Sequence, residues 1–484
     1  MKLRFKRITA LFMLACMLLA SCASDAEQSE TQETKETSAI SESVSNDTVN
    51  ADMYIPDKLE LTLYIDGTGN NYMPGLIEQF KFEHPEVTVN TVDYSTIAPE
   101  DYRTKLSSEL MTGEGPDVLL MINDGNETTD YLPDMMKLIQ NDVFMDVNLL
   151  NVDFSDCNQT VMKAGIYDSK QILVPLNYGL GMLYTTKERM AVAGLEYSEG
   201  MTLAEFAEPL GAFYESNPQK KAFLNYLPSQ FIFPHSAAEY IDYENSRFMD
   251  ATDGIGIMNQ HIEAINLLFP GIFSDMETLQ SYQFYRNLKN YGDSDTDIYR
   301  SGDLLFMSGR NFRGPYENIV MLNSLYADDK SKGETPVVFA LPTLNGEAPS
   351  PHITYALLVN AGTENKRAVE LFIETAVGED FQKSTSACGI YINDVLMEHR
   401  RGFYMTEGYD INDPLALPKF CEFEPEFVES YFSIIENMSD PAPFIDRTAS
   451  SYIFSLVRNG IINGGLTEEE YNSVKSQIEF YLSE

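Results

Sequence analysis

The chain contains no Trp and only five Cys, and its 33 Lys and Arg face 74 Asp and Glu. Each shortage excludes something. The formal net charge is -41, and such a field repels a phosphate backbone, so a nucleic-acid partner is excluded. With Cys16 and Cys22 near the start set aside, Cys157, Cys388 and Cys421 are left. They are odd in number, far apart and outside any CxxC or Cys/His cluster, so neither a disulfide framework nor a zinc site is expected. Buried free thiols are the simpler state. The five His (His84, His235, His261, His352, His399) form no HExxH, and neither a GxSxG elbow nor a GxxxxGK[ST] loop is present. With 74 acids, a pair of carboxylates says nothing about glycoside hydrolysis. No second apolar run is long enough to cross a bilayer.

What the chain does have begins with an address. Met1 to Arg7 is basic, and Ile8 to Ala20 is apolar but short for a span. It ends in Leu19-Ala20-Ser21-Cys22, which resembles the bacterial lipobox. That resemblance implies a signal peptide at 1–21 and acylation of Cys22, with the membrane held through the lipid alone on the extracellular face. Ala23 to Asp52 follows with eight acids, one Lys and no aromatic residue. It cannot bury enough apolar area to offset its ordering entropy, so 22–57 is expected to be an acidic tether.

With 44% hydrophobic residues, the rest can build a core of domain size. Leu59, Leu61, Leu63 and Ile65 recur at period two, the strand spacing. Met73, Leu76, Ile77 and Phe80 recur at helical spacing before Pro85. Val87, Val89 and Thr91 predict a second strand, and Tyr102, Leu106 and Leu110 a second helix closed by Gly113. Val118 to Ile122 is continuously apolar, as a parallel strand covered on both faces would be. This alternation predicts an α/β architecture.

The order of motifs resembles the extracellular solute-binding proteins of ABC importers, in their sugar-binding branch. The segments that carry it are LELTLYIDG, then the helix through "FKFEHPEVTV", then "GEGPDV" at 113–118, the most specific match. They continue with AGIYDSKQILVPLNYGLGMLYTTKERMAVAGL, Met201 to Phe206, Ser301 to Gly309, Val338 to Pro342, Ile353 to Ala361 and Ala368 to Gln382. Thr467 and Glu470 form a capping-box pattern before Tyr471, Val474, Ile478 and Tyr481. The resemblance implies a two-lobed, periplasmic-binding-protein-like (class II) α/β fold with hinge segments between the lobes. Lobe 1 is expected at 58–180 plus 350–385, and lobe 2 at 181–349 plus 386–484. Between Thr202 and Arg300 the match is poor, and the missing Trp departs from the branch's usual sugar binders.

The function implied is capture of a mono- or oligosaccharide by a monomeric, lipid-anchored protein that hands it to an importer permease, without cofactor or catalysis. Alternatives are a polyamine or peptide ligand on the same fold, or a surface glycan hydrolase. A sugar cleft needs aromatic faces and matched hydrogen-bonding groups, and 28 Tyr and 28 Phe can supply the faces. Loops at the carboxyl ends of strands are where ligands bind in α/β sheets. Asp66 and Thr68 follow the first strand, and Asn123 and Asp124 the third; each is also an ordinary cap or turn residue. In the family's ligand loop, Tyr178 is a stacking candidate or plain hinge packing. Asn311 and Arg313 follow Met307 to Arg310, and Arg313 could donate a planar fork to a ligand or pair with a surface acid. Tyr355 is a contact or a core ring. Asp293, Asp295 and Asp297 begin like an EF-hand, but Ile298 and Leu304 occupy the positions that need Gly and Glu, so a solvated acidic loop is expected there.

Overall fold

The chain falls into two units, residues 1–55 and 56–484. The structure, a computed structural model, describes residues 59–65, 72–94, 96–122, 135–223, 240–242, 245–248, 253–269, 295–308, 315–384, 390–405, 422–441 and 447–483, all in the second unit. The expected signal peptide, Cys22 and the tether lie outside the described residues.

The predicted start is present. Strand β1 (Glu60–Ile65) leads to helix α1 (Tyr72–Glu83), β2 (Thr88–Asp93), helix α2 (Pro99–Met111) and β3 (Val118–Ile122). β1 pairs in parallel with both β2 and β3. Its period-two residues Leu61 and Leu63 are wholly buried. Tyr64, on the other face, lies 6.4 Å from Tyr102 of α2. A central strand is therefore covered on both sides, as a parallel arrangement requires. The helical stripe of α1 buries Met73, Leu76, Ile77 and Phe80, and Phe80 meets Phe372 edge-on at 5.2 Å.

The chain then runs through β4 (Leu173–Gly179) and β5 (Met182–Thr186) into helix α3 (Lys187–Ala193). Later come β6 (Met307–Ser308), helix α4 (Pro315–Ser331), β7 (Pro336–Ala340), β8 (His352–Val359) and helix α5 (Lys366–Val377). Strand β9 (Ile390–Tyr391), helix α6 (Asp394–Met405), helix α7 (Pro425–Glu436), helix α8 (Arg447–Asn463) and helix α9 (Glu468–Ser483) complete the order. Among the described residues the two larger sheets have six strands in the order β9-β4-β8-β3-β1-β2 and three in the order β6-β5-β7, beside two small two-stranded ribbons.

The chain passes between the sheets at Leu180-Gly181 and at 341–351. β9 pairs with β4 in the six-stranded sheet. The second sheet is pinned by a buried polar network. Tyr184 and Tyr299 donate to one oxygen of Asp329 at 2.8 and 3.1 Å. Arg189 pairs with the other at 3.4 Å and lies over the Tyr299 ring at 3.8 Å. Asp295 and Asp297 belong to a short helix, Asp295–Ser301, rather than to the expected loop, and Asp293 lies outside the described residues. Among the described residues, no group of three or more His, Cys, Asp or Glu could hold a metal ion, and no helix is long and apolar enough to cross a membrane.

Candidate functional site

The strand pairings define which edge of the large sheet faces the crossovers. β1 and β3 end there at Ile65 and Ile122, β4 ends at Gly179, and β8 starts at His352 opposite Gly179. The carboxyl ends of three strands thus converge beside the point where the chain enters the second sheet, which is where open α/β sheets bind ligands.

An aromatic and polar cluster lies at this edge. Tyr72 opens α1, and its ring stacks on Tyr355 of β8 at 4.1 Å and 7°. Phe381 meets the same ring edge-on at 5.2 Å. The Tyr72 hydroxyl donates to Oδ1 of Asn177 in β4 at 2.6 Å. Tyr72, Tyr355, Asn177 and Phe381 are all buried, so the cluster ties two strands, β4 and β8, and the short helix Glu379–Gln382 to the start of α1.

Sequence reading treated Asn177, Tyr178 and Gly179 as a loop; they form the end of β4, every residue of which is buried. The strand lies between β8 and β9, and Gly179 leaves room for the His352 ring, which a Cβ there would strike. Tyr178 is wholly buried, and its hydroxyl has no hydrogen-bond partner. Burial first, and then Asp394, pushes its phenol well above the ordinary range. A stacking role for Tyr178 or Tyr355 requires an exposed ring face; they are 0% and 5% exposed in this structure. Asp66, Thr68, Asn123, Asp124, Asn311 and Arg313 lie outside the described residues. The strands before the first four, β1 and β3, end at the same edge. Sequence reasoning missed Tyr72 and Asn177 as a pair, because only the fold brings positions 105 apart into contact.

The most specific motif, "GEGPDV", serves the opposite edge. The Asp117 carboxylate accepts from the Thr62 amide at 2.6 Å, the Thr363 hydroxyl at 2.5 Å and the Asn365 amide group at 3.2 Å. Asn360, just past β8, donates to the carbonyls of Glu114 and Pro116 at 2.8 and 3.1 Å. These bonds lock the amino end of β3 between β1 and β8, roughly 17 Å along the strand from its carboxyl end.

Comparison with known proteins places this fold. Residues 75–393 match the family of bacterial extracellular solute-binding proteins. No curated protein matches the chain. Among solved structures, a cyclic alpha-maltosyl-1,6-maltose binding protein from Arthrobacter globiformis is similar, with a TM-score of 0.53 at 13% identity over 88% of this chain and 99% of that one. An ABC substrate-binding protein from Listeria monocytogenes, in complex with cycloalternan, has a TM-score of 0.51 at 15% identity over 88% and 100%. An extracellular solute-binding protein family 1 member from Alicyclobacillus acidocaldarius has a TM-score of 0.52 at 10% identity over 88% and 98%. At such identities the likeness is one of fold: an α/β, two-lobed, periplasmic-binding-protein-like architecture.

Proposed function

The chain belongs to the bacterial extracellular solute-binding proteins, and on that premise we propose that it captures a mono- or oligosaccharide and delivers it to the permease of an ABC importer, held to the membrane by lipid on Cys22. One observation carries this reading. The matched span, 75–393, contains both crossovers, the whole three-stranded sheet and every strand of the six-stranded sheet but β1, so the family likeness extends over most of the apparatus that a two-lobed binder closes on its ligand. The Listeria and Arthrobacter neighbours are described by their cyclic oligosaccharides, which supports a carbohydrate over other solutes.

In this reading the ligand bridges the two lobes and shifts a population from open to closed. No bond is made or broken. Asp66, Thr68, Asn123 and Asp124, which follow the converging strand ends in sequence, and Asn311 and Arg313, which follow β6, are the proposed contacts. Tyr178 and Tyr355 hold the edge beneath them and reach ligand only if closure uncovers their rings. An affinity near 1 μM, about -8 kcal/mol, permits release to the permease.

The test is a thermal-shift screen of mono- and oligosaccharides, with spermidine and short peptides alongside. A saccharide at a hundred times its Kd stabilises by about 2.7 kcal/mol. Failure of every saccharide, with a clear spermidine or peptide shift, overturns the ligand class. Mass spectrometry of the best saccharide after overnight incubation checks that it is returned intact; cleavage would point to a glycan hydrolase. Cys22→Ser should move the protein from the membrane fraction to the soluble one.

A further inference from the structure

The two sheets share one pair of chain segments. Residues 173–179 pair with β8 in the large sheet, and 182–186 pair with β7 in the small one. The two pairings nearly meet. His352 stands opposite Gly179, and the Leu341 amide donates to the Gly181 carbonyl at 2.9 Å. Leu180 alone separates the two glycines, and it is buried.

Both glycines are overlaid by a side chain of the returning segment. A Cβ on Gly179 would lie 2.3 Å from Cε1 of His352. A Cβ on Gly181 would lie 2.9 Å from Cβ and 3.1 Å from Cδ2 of Leu341. Neither glycine has a positive φ, so space rather than backbone conformation calls for glycine here. The two seats differ in stiffness. The His352 ring can swing about its side-chain bonds. The Leu341 Cβ is fixed to a backbone that is itself bonded to Gly181.

We propose that these two seats form a hinge detent. With Leu341 on Gly181 and His352 on Gly179, the crossovers define one resting angle between the sheets, and rotation about Leu180 has to unseat them. The expected effect on ligand affinity rests on the function proposed above; the detent itself is a property of the ligand-free chain.

The test is Gly181→Ala in the full mature chain. Carbon atoms in contact sit about 3.5–4.0 Å apart, so the new methyl must push Leu341 away by roughly 0.6–1.1 Å. In the ligand-free protein, exchange of the Leu341 amide should accelerate about tenfold, and the small-angle scattering radius should change. Affinity for the best saccharide should change about fivefold, in the direction that the scattering predicts: a more compact resting form binds tighter, a more open one weaker. Leu341→Ala, which only removes atoms, should also shift the scattering radius and keeps the test usable if Gly181→Ala does not fold. Gly402→Ala, whose Cβ would meet nothing within 4 Å, should change none of these. Unaltered exchange and scattering in both crossover variants overturn the detent, whatever binds. Accelerated exchange with no saccharide bound by any variant leaves the detent standing and removes the carbohydrate reading instead.

Discussion

Asp117→Asn separates the structural reading of the "GEGPDV" motif from a ligand-binding one. The carboxylate is 7% exposed, and its partners, the Thr62 amide, the Thr363 hydroxyl and the Asn365 side chain, are neutral donors. A carboxylate can accept from all of them; an amide has one oxygen, and its NH2 must face at least one donor. Hydrogen bonds to a charged group contribute about 1.5–3 kcal/mol, and a buried donor left unpaired costs about 1–3 kcal/mol. A loss near 3 kcal/mol is therefore expected. At about 2.1 cal/mol/K per residue, the unit 56–484 has an unfolding entropy of roughly 0.9 kcal/mol/K. The Tm should then fall by about 3 °C. Because this tie is at the far end of β3 from the crossovers, affinity for the best saccharide should stay within about twofold. Differential scanning calorimetry and isothermal titration check the two halves. An unmoved Tm, or lost affinity at unchanged stability, refutes the reasoning.

Tyr178→Phe removes a buried hydroxyl that has no partner, so the variant should gain about 1 kcal/mol and a slightly higher Tm; a lower Tm would mean that the hydroxyl is satisfied. Burial, with Asp394, Asp156 and Asp153 adding to it, pushes the Cys157 thiol up to about 12. Iodoacetamide at pH 8 should therefore leave the Cys157 peptide unmodified in the native protein and alkylate it in urea, as read by mass spectrometry. Glu470 accepts from the Thr467 amide and hydroxyl at 2.9 and 2.8 Å, and the amide bond foremost holds its carboxyl below the ordinary 4.5. A folded value below the unfolded one means that the cap's contribution is complete above pH 4.5 and is lost as the pH falls through the lower folded value. Amide protection in the first turn of α9 should decline over that interval, and Glu470→Gln should abolish the pH dependence.

Where the pattern was local, the sequence could be read. The period-two residues of β1, the helical stripes of α1 and α2 and the apolar run of β3 each report one buried face or two, and burial follows the stripes of α1 and α2 and is complete at Leu61 and Leu63 of β1, with Leu59 and Ile65 partly buried at its ends. The capping box read at Thr467 and Glu470 closes as a three-residue spacing allows, and the structure adds a second at Thr202 and Glu205. The site is another matter. Its visible part is assembled from Tyr72, Asn177, Tyr355 and Phe381, which lie on separate elements, and no spacing rule joins them. Gly179 was not legible for a similar reason: the side chain that requires a glycine there, His352, is more than a hundred residues away.

The missing tryptophan bears on this directly. A chain that fills its core with tyrosine gains aromatic area but must also house each hydroxyl. Tyr64 gives its proton to Glu109 and Tyr72 to Asn177, while Tyr184 and Tyr299 converge on Asp329. Each solution ties a ring to a second element and stiffens the body that contains both. Tyr178 is a contrasting case: its hydroxyl has no partner, and it is next to Gly179, on the strand that leaves one sheet for the other. Unsatisfied groups are tolerated where surrounding structure holds them, and they collect at parts that move. An unpaired hydroxyl and two glycines without spare room therefore fall within residues 178–181, between Asn177 and Tyr184, whose polar ties belong to the six-stranded and the three-stranded sheet. Under the function proposed above, that stretch joins the two halves that close on the ligand.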